Sequence, residues 1–344
     1  MRATLRRRVL KLATPLVTSY GAVGGRELMV LALTDDDGVI GYGEAAPLAG
    51  YDGISGDRVY GALRSYLPVL EAPGRPPGVR LMDACRQIDD LPQALAAVDL
   101  ALWDLAGHRE GRSVADLLSD RAVERVPVNA TIAATDRAGA AAAAAAAVAL
   151  GFSCVKLKVG MGDDAGRVAA VRAAVGPQTA LRLDANGAWS VPEAIAAIQA
   201  LAPAGLELVE EPTRGLRAVR QVRERVAVRV AIDETAAEPG ALGAGVADAV
   251  CLKISRCGGI GGLVAAAALV RASGAEVYVS STLDGPLGIA ASLHAAAALA
   301  GHGPLAPCGL ATLGLFYDEP NPLPTVKGTM AVPRTPGLGV GPGG

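Results

Sequence analysis

Six side chains in the second half of the sequence have the types and spacing for proton transfer beside a carboxylate: Lys156, Lys158, Asp184, Glu210, Asp233 and Lys253. From Lys156 through Asp184, Glu210 and Asp233 to Lys253 the intervals are 28, 26, 23 and 20 residues, each about one strand-plus-helix repeat. Groups at that period converge on one mouth of a parallel barrel, where the strand C-termini gather. A single carboxylate at a strand end reads equally well as a helix N-cap, and Asp184 before Ala185-Asn186-Gly187 and Asp233 before Glu234-Thr235 admit that reading. Three on successive strands, with lysines on both sides, are much harder to explain as caps. Clustered carboxylates repel unless a cation neutralises them, and an all-oxygen set favours Mg²⁺ over zinc.

Lys156 and Lys158 are two apart on a strand, so both point into the barrel. Buried lysines are rare unless paired or functional. Near a divalent cation and another ammonium, Lys158 is expected to have its pKa lowered toward the operating pH, as a general base requires. The implied chemistry is removal of a proton α to a carboxylate, which is difficult because it adds charge to an anion. A divalent ion on the carboxylate oxygens stabilises the resulting ene-diolate while a lysine takes the proton.

These residues need a scaffold, and the chain spells one. Apolar segments Leu28 to Leu33 and Val39 to Gly43 flank Asp35-Asp36-Asp37-Gly38, a hairpin signal, and the basic N-terminus with Arg2, Arg6, Arg7, Arg8 and Lys11 reads as a first, solvent-flanked strand. From about Gly53 to Leu118 the pattern is helical, with Ala94, Ala97, Val98, Ala101, Leu102 and Leu105 on one face. After Val126 short apolar strands alternate with helical stretches: Val126 to Ile132, Cys154 to Val159, Ala180 to Leu183, Leu206 to Val209, Arg229 to Ile232, Ala249 to Ile254, Glu276 to Val279 and Leu305 to Cys308. Eight strands with seven intervening helical segments fit a closed α/β barrel better than an open sheet. The Pro- and Gly-rich tail from Asp318 to Gly344 cannot continue the barrel; it folds back over the first domain or frays.

Composition narrows the partners. Thirty-two basic residues against 34 acidic ones leave no global field to attract nucleic acid or an anionic membrane. No apolar run is long enough to span a bilayer or serve as a signal peptide. The five cysteines, Cys85, Cys154, Cys251, Cys257 and Cys308, show no CxxC spacing, which argues against a disulfide framework and a structural zinc site and for the cytoplasm. Cys154, Cys251 and Cys308 read as small buried hydrophobes. None of the three histidines, His108, His294 and His302, has metal-ligand spacing. A small carboxylate is the expected partner.

Val155-Lys156-Leu157-Lys158-Val159, Leu183-Asp184-Ala185-Asn186-Gly187, Val209-Glu210-Glu211-Pro212, Ile232-Asp233-Glu234-Thr235 and Leu252-Lys253-Ile254 through Gly258-Gly259 resemble the muconate lactonizing enzyme subgroup of the enolase superfamily. Gly41-Tyr42-Gly43-Glu44-Ala45 and Ala97-Val98-Asp99-Leu100-Ala101-Leu102-Trp103-Asp104 do so in the N-terminal region. The resemblance implies a modified (β/α)7β TIM-type barrel over residues 123–317, beneath an N-terminal α+β capping domain over 1–122 that the segment 318–344 completes. It implies Mg²⁺ on Asp184, Glu210 and Asp233. Strand alternation lets only one of Glu210 and Glu211 face the metal, and Glu210 is taken. Lys158 becomes the base on one substrate face, Lys253 the group on the other, Lys156 a supporting charge and Asn186 an orienting group.

The subgroup hosts o-succinylbenzoate synthesis, dipeptide epimerisation, N-acylamino acid racemisation and muconate cycloisomerisation, and a homo-oligomer is expected only by analogy. Pro307-Cys308-Gly309-Leu310-Ala311-Thr312-Leu313 lacks the acidic pair of dipeptide epimerases. Gly309 to Thr312 and Ser280-Ser281-Thr282-Leu283-Asp284 look more like o-succinylbenzoate synthases, although Asp284 stands where many relatives carry Glu. Specificity is expected in capping loops, Thr18 to Gly25 and Leu48 to Ser55, with Tyr20 and Tyr51 as exposed loop tyrosines that could line the pocket. A non-catalytic barrel that only binds a carboxylate is the reading from another class, and no missing lysine or carboxylate favours it.

Overall fold

The computed structural model describes residues 1–18, 21–74, 78–317 and 320–343. The chain opens with an antiparallel sheet of β1 (Arg2–Thr18), β2 (Gly21–Thr34) and β3 (Ile40–Ala45), in that order. Asp35 makes the β2–β3 turn by accepting hydrogen bonds from the Asp37 and Val39 amides, both at 2.9 Å. Successive side chains of a strand face opposite ways, and β2 uses both faces. Leu28 and Val30 join the barrel core, whereas Met29, Leu31 and Leu33 join a second core under the capping helices. Residues 21–25, expected in a loop, instead continue the sheet, with Leu16 opposite Val23 and Val17 opposite Ala22. These apolar and β-branched pairs extend the strands past a register shift between Lys11 and Leu16.

The helices that follow are α1 (Ala49–Asp52), α2 (Gly56–Glu71), α3 (Gly78–Ile88), α4 (Pro92–Glu110) and α5 (Val114–Leu118). Ala94, Ala97, Val98, Ala101 and Leu105 of α4 are buried, as the periodicity predicts. The helix lies flush on β3 because two glycines let it: a Cβ on Gly43 would sit 1.9 Å from the Ala97 carbonyl oxygen, and one on Gly41 2.3 Å from that of Ala101.

After β4 (Arg125–Pro127) the parallel strands are β5 (Ala130–Ile132), β6 (Cys154–Lys158), β7 (Ala180–Asp184), β8 (Leu208–Glu210), β9 (Arg229–Ile232), β10 (Ala249–Lys253) and β11 (Glu276–Ser280), each beside the next. The intervening helices are α6 (Arg137–Ala149), α7 (Asp164–Val175), α8 (Val191–Leu201), α9 (Leu216–Arg223) and α10 (Ile260–Ala272), with α11 (Pro286–Gly301) after β11. Three expectations need correction. The stretch Val126 to Ile132 is two strands, since β4 leaves the barrel at Pro127 and pairs instead with the tail. The β9–β10 connection carries only 3₁₀ turns, Glu234–Ala237 and Ala241–Gly243, where Pro239, Gly240 and Gly245 stop an α-helix from propagating. The eighth strand shrinks to two bridging residues, because Pro304 and Pro307 offer no amide hydrogens. Those two still close the ring: Cys308 exchanges hydrogen bonds with Pro127 and Asn129, and Gly309 with Val279 and Ser281.

Carboxylates of the capping region cap the barrel helices. Asp99 on α4 accepts from the Ile260 amide at 2.6 Å and Gly261 at 3.3 Å, at the start of α10. Glu44 on β3 accepts from the Gly285 amide at 2.6 Å, at the start of α11. The residues that would ordinarily carry a capping side chain are Gly259 and Gly285, and a Cβ on either would strike the visiting carboxylate, at 2.3 and 2.4 Å. The tail forms β12 (Thr325–Val326) and β13 (Thr329–Ala331), which pairs with β4. It then reaches the cap, where the Leu338 amide donates to Asp104, whose other oxygen holds the Tyr42 amide, both at 2.7 Å.

Glu44 has one carboxylate oxygen without a hydrogen-bond partner, as does the neighbouring Asp284. Burial, reinforced by the Asp284 charge, pushes the Glu44 carboxyl from 4.5 up to about 8. The folded chain therefore holds this proton more tightly than the unfolded chain. The resulting stability is fully present below the unfolded value of 4.5 and is lost as pH rises through about 8. Glu44→Gln, neutral at every pH, is expected to flatten the fall in urea midpoint between about pH 5 and about pH 9; a variant with the wild-type slope would assign that fall elsewhere.

Candidate active site

The strand ends bring the predicted groups together in layers. Lys156 and Lys158 both point inward from β6 and both meet Asp184 at the end of β7, at 3.0 and 2.7 Å. Lys156 also reaches both oxygens of Glu210 at the end of β8, at 3.0 and 3.2 Å. Lys253, on β10, is ion-paired with Asp233, which follows β9. All six are buried. In the closed ring β6 and β10 are four positions apart among eight, so Lys158 and Lys253 face each other across the mouth with the acidic strand ends β7 to β9 between them.

The electrostatics follow from this interleaving. Burial pushes the Asp184 carboxyl up, yet Lys156 and Lys158 together hold it well below the usual carboxylate range. Burial opposes the charge on Lys156, but Asp184 and Glu210 keep its ammonium above its ordinary value. Lys253 behaves alike: burial opposes its charge, but Asp233, joined by Tyr51, Cys251 and Glu234, keeps the ammonium well above its ordinary value. Glu210 goes the other way, raised first by burial and then by the Asp184 charge.

The carboxylates are not evenly gathered. Ligand atoms of Glu210, Asp233 and Cys251 lie within 4.8 Å of one another, the one such group among the described residues, while Asp184 is joined to Glu210 through the Lys156 ammonium. Cys251, expected to be an inert hydrophobe, thus sits among the acids. Burial and then the charges of Asp233 and Glu210 push its thiol well above its usual range. Of the Glu210–Glu211 pair, Glu210 faces the barrel. Glu211 adopts φ 41° and turns away to accept from the Asp233 amide at 2.7 Å, the Thr235 amide at 3.0 Å and the Thr235 hydroxyl.

Asn186 orients Lys158 by accepting from its ammonium at 2.7 Å, and donates to Glu234 at 3.1 Å. Tyr51 is not the exposed loop residue expected: it lies in α1, 7% exposed, and its hydroxyl donates to Asp233 at 2.7 Å while Lys253 stands 4.0 Å over its ring. Leu48 lines the same cavity beside it. Tyr20 lies outside the described residues. Asp284, expected either to touch substrate or to support the groups that do, accepts from Thr282 at 2.7 Å and borders Glu44, and is not among the residues lining the cavity. Tyr278, unnoticed in the sequence, donates to Glu210 at 2.7 Å.

The cavity these groups line is small, about 70 Å³. Leu16 of β1, Leu48 and Tyr51 bring the capping region onto it, with Leu315 from the turn after the eighth strand beside them. Hydroxyls of Ser281, Thr282 and Thr312 line one side. Among the described residues its carboxylates are Asp184 and Asp233, each already ion-paired. Such a site can hold an anion between two ammoniums and move a proton from either side.

Comparison with known proteins agrees with this geometry. Residues 1–119 match the family model described as mandelate racemase / muconate lactonizing enzyme, N-terminal domain, and residues 139–342 the model described as enolase C-terminal domain-like. The chain is 31% identical to muconate cycloisomerase 1-1 of Acinetobacter lwoffii over 95% of its own length and 89% of that protein's. It is 41% identical to o-succinylbenzoate synthase of Mycobacterium tuberculosis over 225 residues, 62% of this chain and 65% of the relative. Among solved structures, the dipeptide epimerase of Enterococcus faecalis complexed with Mg and the dipeptide L-Leu-L-Tyr superposes with a TM-score of 0.87 at 26% identity, covering 98% of both chains.

Lys156 is the cation that two buried carboxylates share. Lys156→Met is therefore expected to destabilise the fold by about 3–5 kcal/mol in urea denaturation at neutral pH, the usual effect of stripping one partner from a buried ion pair. A loss below about 1 kcal/mol would mean that Asp184 and Glu210 are neutralised in another way.

Proposed function

The chain belongs to the mandelate racemase/muconate lactonizing enzyme family of the enolase superfamily, and we propose that within it the protein is a Mg²⁺-dependent o-succinylbenzoate synthase. It is an enzyme that removes a proton α to a carboxylate. The observation that carries the finer reading is the pair Lys158 and Lys253 on opposed strands, beside a cavity whose carboxylates among the described residues are already paired. Such a cavity offers no free anion for the ammonium of an ordinary dipeptide. The identity to an o-succinylbenzoate synthase over the barrel-sized stretch of 225 residues supports the same choice.

The donor set fits a hard divalent ion. Asp184, Glu210 and Asp233 are buried carboxylates, and the acidic surroundings that push Glu210 up are what a cation would relieve. These three residues would hold Mg²⁺, which when bound would supply Lewis-acid stabilisation of charge on the substrate carboxylate. Lys158 removes the α-proton and returns it to the leaving hydroxyl. Asn186 and Asp184 fix the Nζ of Lys158 for both transfers. Lys253 remains an ammonium, held charged by Asp233, and faces the developing negative charge from the other side. Tyr51 steadies Asp233, and the leucine roof excludes water. The five free cysteines favour a reducing compartment, the cytoplasm.

The opposed lysines also suit a racemase of N-acylated amino acids, in which each serves as base for one enantiomer. The deciding experiment offers the hydroxylated cyclohexadiene dicarboxylate and N-succinyl amino acids with Mg²⁺. Formation of the aromatic product, lost about 10²–10⁴-fold in Lys158→Ala, is expected. No aromatic product, together with α-hydrogen exchange from both enantiomers in deuterated solvent, would replace the synthase reading with the racemase.

A further inference from the structure

Below the carboxylates the barrel interior holds a second polar layer that the reaction does not use directly. Tyr278 on β11 is fully buried, and its hydroxyl donates to Glu210 Oε2 at 2.7 Å. Beneath its ring stands the guanidinium of Arg182, 5.1 Å from the centroid and itself wholly buried. Arg182 is clamped in turn: it donates to both oxygens of Glu207, at 2.8 and 3.0 Å, and to the Pro307 carbonyl at 2.8 Å. Glu210 thus receives Lys156 from one side and Tyr278 from below, and two contacts fix the plane of a carboxylate where one would leave it free to rotate.

We propose that Tyr278 is a positioning residue for the metal site, presenting Glu210 in the orientation that binds Mg²⁺, with Arg182 and Glu207 holding the tyrosine in place. The ring rests on a planar cation held in register between Lys156 and Leu208 on the adjoining strands, so the hydroxyl is delivered to a fixed point. A donor that orients a metal ligand typically contributes 10- to 100-fold in metal affinity. The proposal rests on Glu210 being a metal ligand, as argued above.

The test is calorimetric titration of the full chain with Mg²⁺ and with Mn²⁺, without substrate. Tyr278→Phe is expected to raise the dissociation constant for both ions about tenfold. Glu207→Gln, at the half-exposed end of the column, is expected to raise it by a smaller factor. A purely structural tyrosine would lower the thermal midpoint and leave ion affinity within twofold of wild type, which overturns the proposal. Where Tyr278→Phe does not accumulate as folded protein, Glu207→Gln decides alone, and an unchanged dissociation constant overturns it. Wild-type protein that binds neither ion removes the metal reading itself, an outcome distinct from wild type binding normally with an indifferent Tyr278→Phe.

Discussion

Burying several charges of one sign in one place is the constraint around which this molecule is built. Asp184, Glu210 and Asp233 lie on adjacent strand ends with almost no solvent to screen them. Left alone they would take up protons, and the barrel mouth would lose its negative charge. Interleaved lysines oppose this, and every acid in the set touches at least one ammonium. The same interleaving leaves Lys158 and Lys253 facing a common cavity from opposite walls. Stability and reactivity therefore come from one arrangement.

The capping region is tied to that mouth by charges at helix starts. Helix N-termini leave amide hydrogens without partners, and a carboxylate beside them is favourable. Here α10 and α11 begin at glycines and take their carboxylates from α4 and β3. Those two helices flank β11, whose end continues into the Ser281–Leu283 wall of the cavity. Docking the cap thus sets one wall of the site as well as its roof.

Much of this was legible in the sequence. Strand ends closing in Lys, Asp or Glu at intervals of about one βα unit located the mouth, because the barrel repeat turns linear spacing into angular position. Strand alternation separated Glu210 from Glu211, whose positive φ then turned it outward. What escaped were features that depend on depth within the barrel. Tyr278 and Cys251 are paired in register one layer below the lysines, and in the sequence each is one apolar letter in an apolar strand. Tyr51 was picked out as a tyrosine that could line the pocket, and it does, but its burial depends on the cap resting on the barrel, which pattern alone does not reveal. The eighth strand was overdrawn because apolarity was counted while the two prolines that remove its amide hydrogens were not.

The strand β13 has a bearing on how the molecule comes into being. It completes a ladder with β4, some two hundred residues earlier, and the segment after it threads between α4 and α5 to satisfy Asp104. As the polypeptide leaves the ribosome, the cap and the first barrel strands emerge long before these partners exist. Until they arrive, β4 lacks the partner that completes its ladder and Asp104 lacks the Leu338 amide. Vectorial synthesis leaves the oldest part of the protein waiting on one of the youngest.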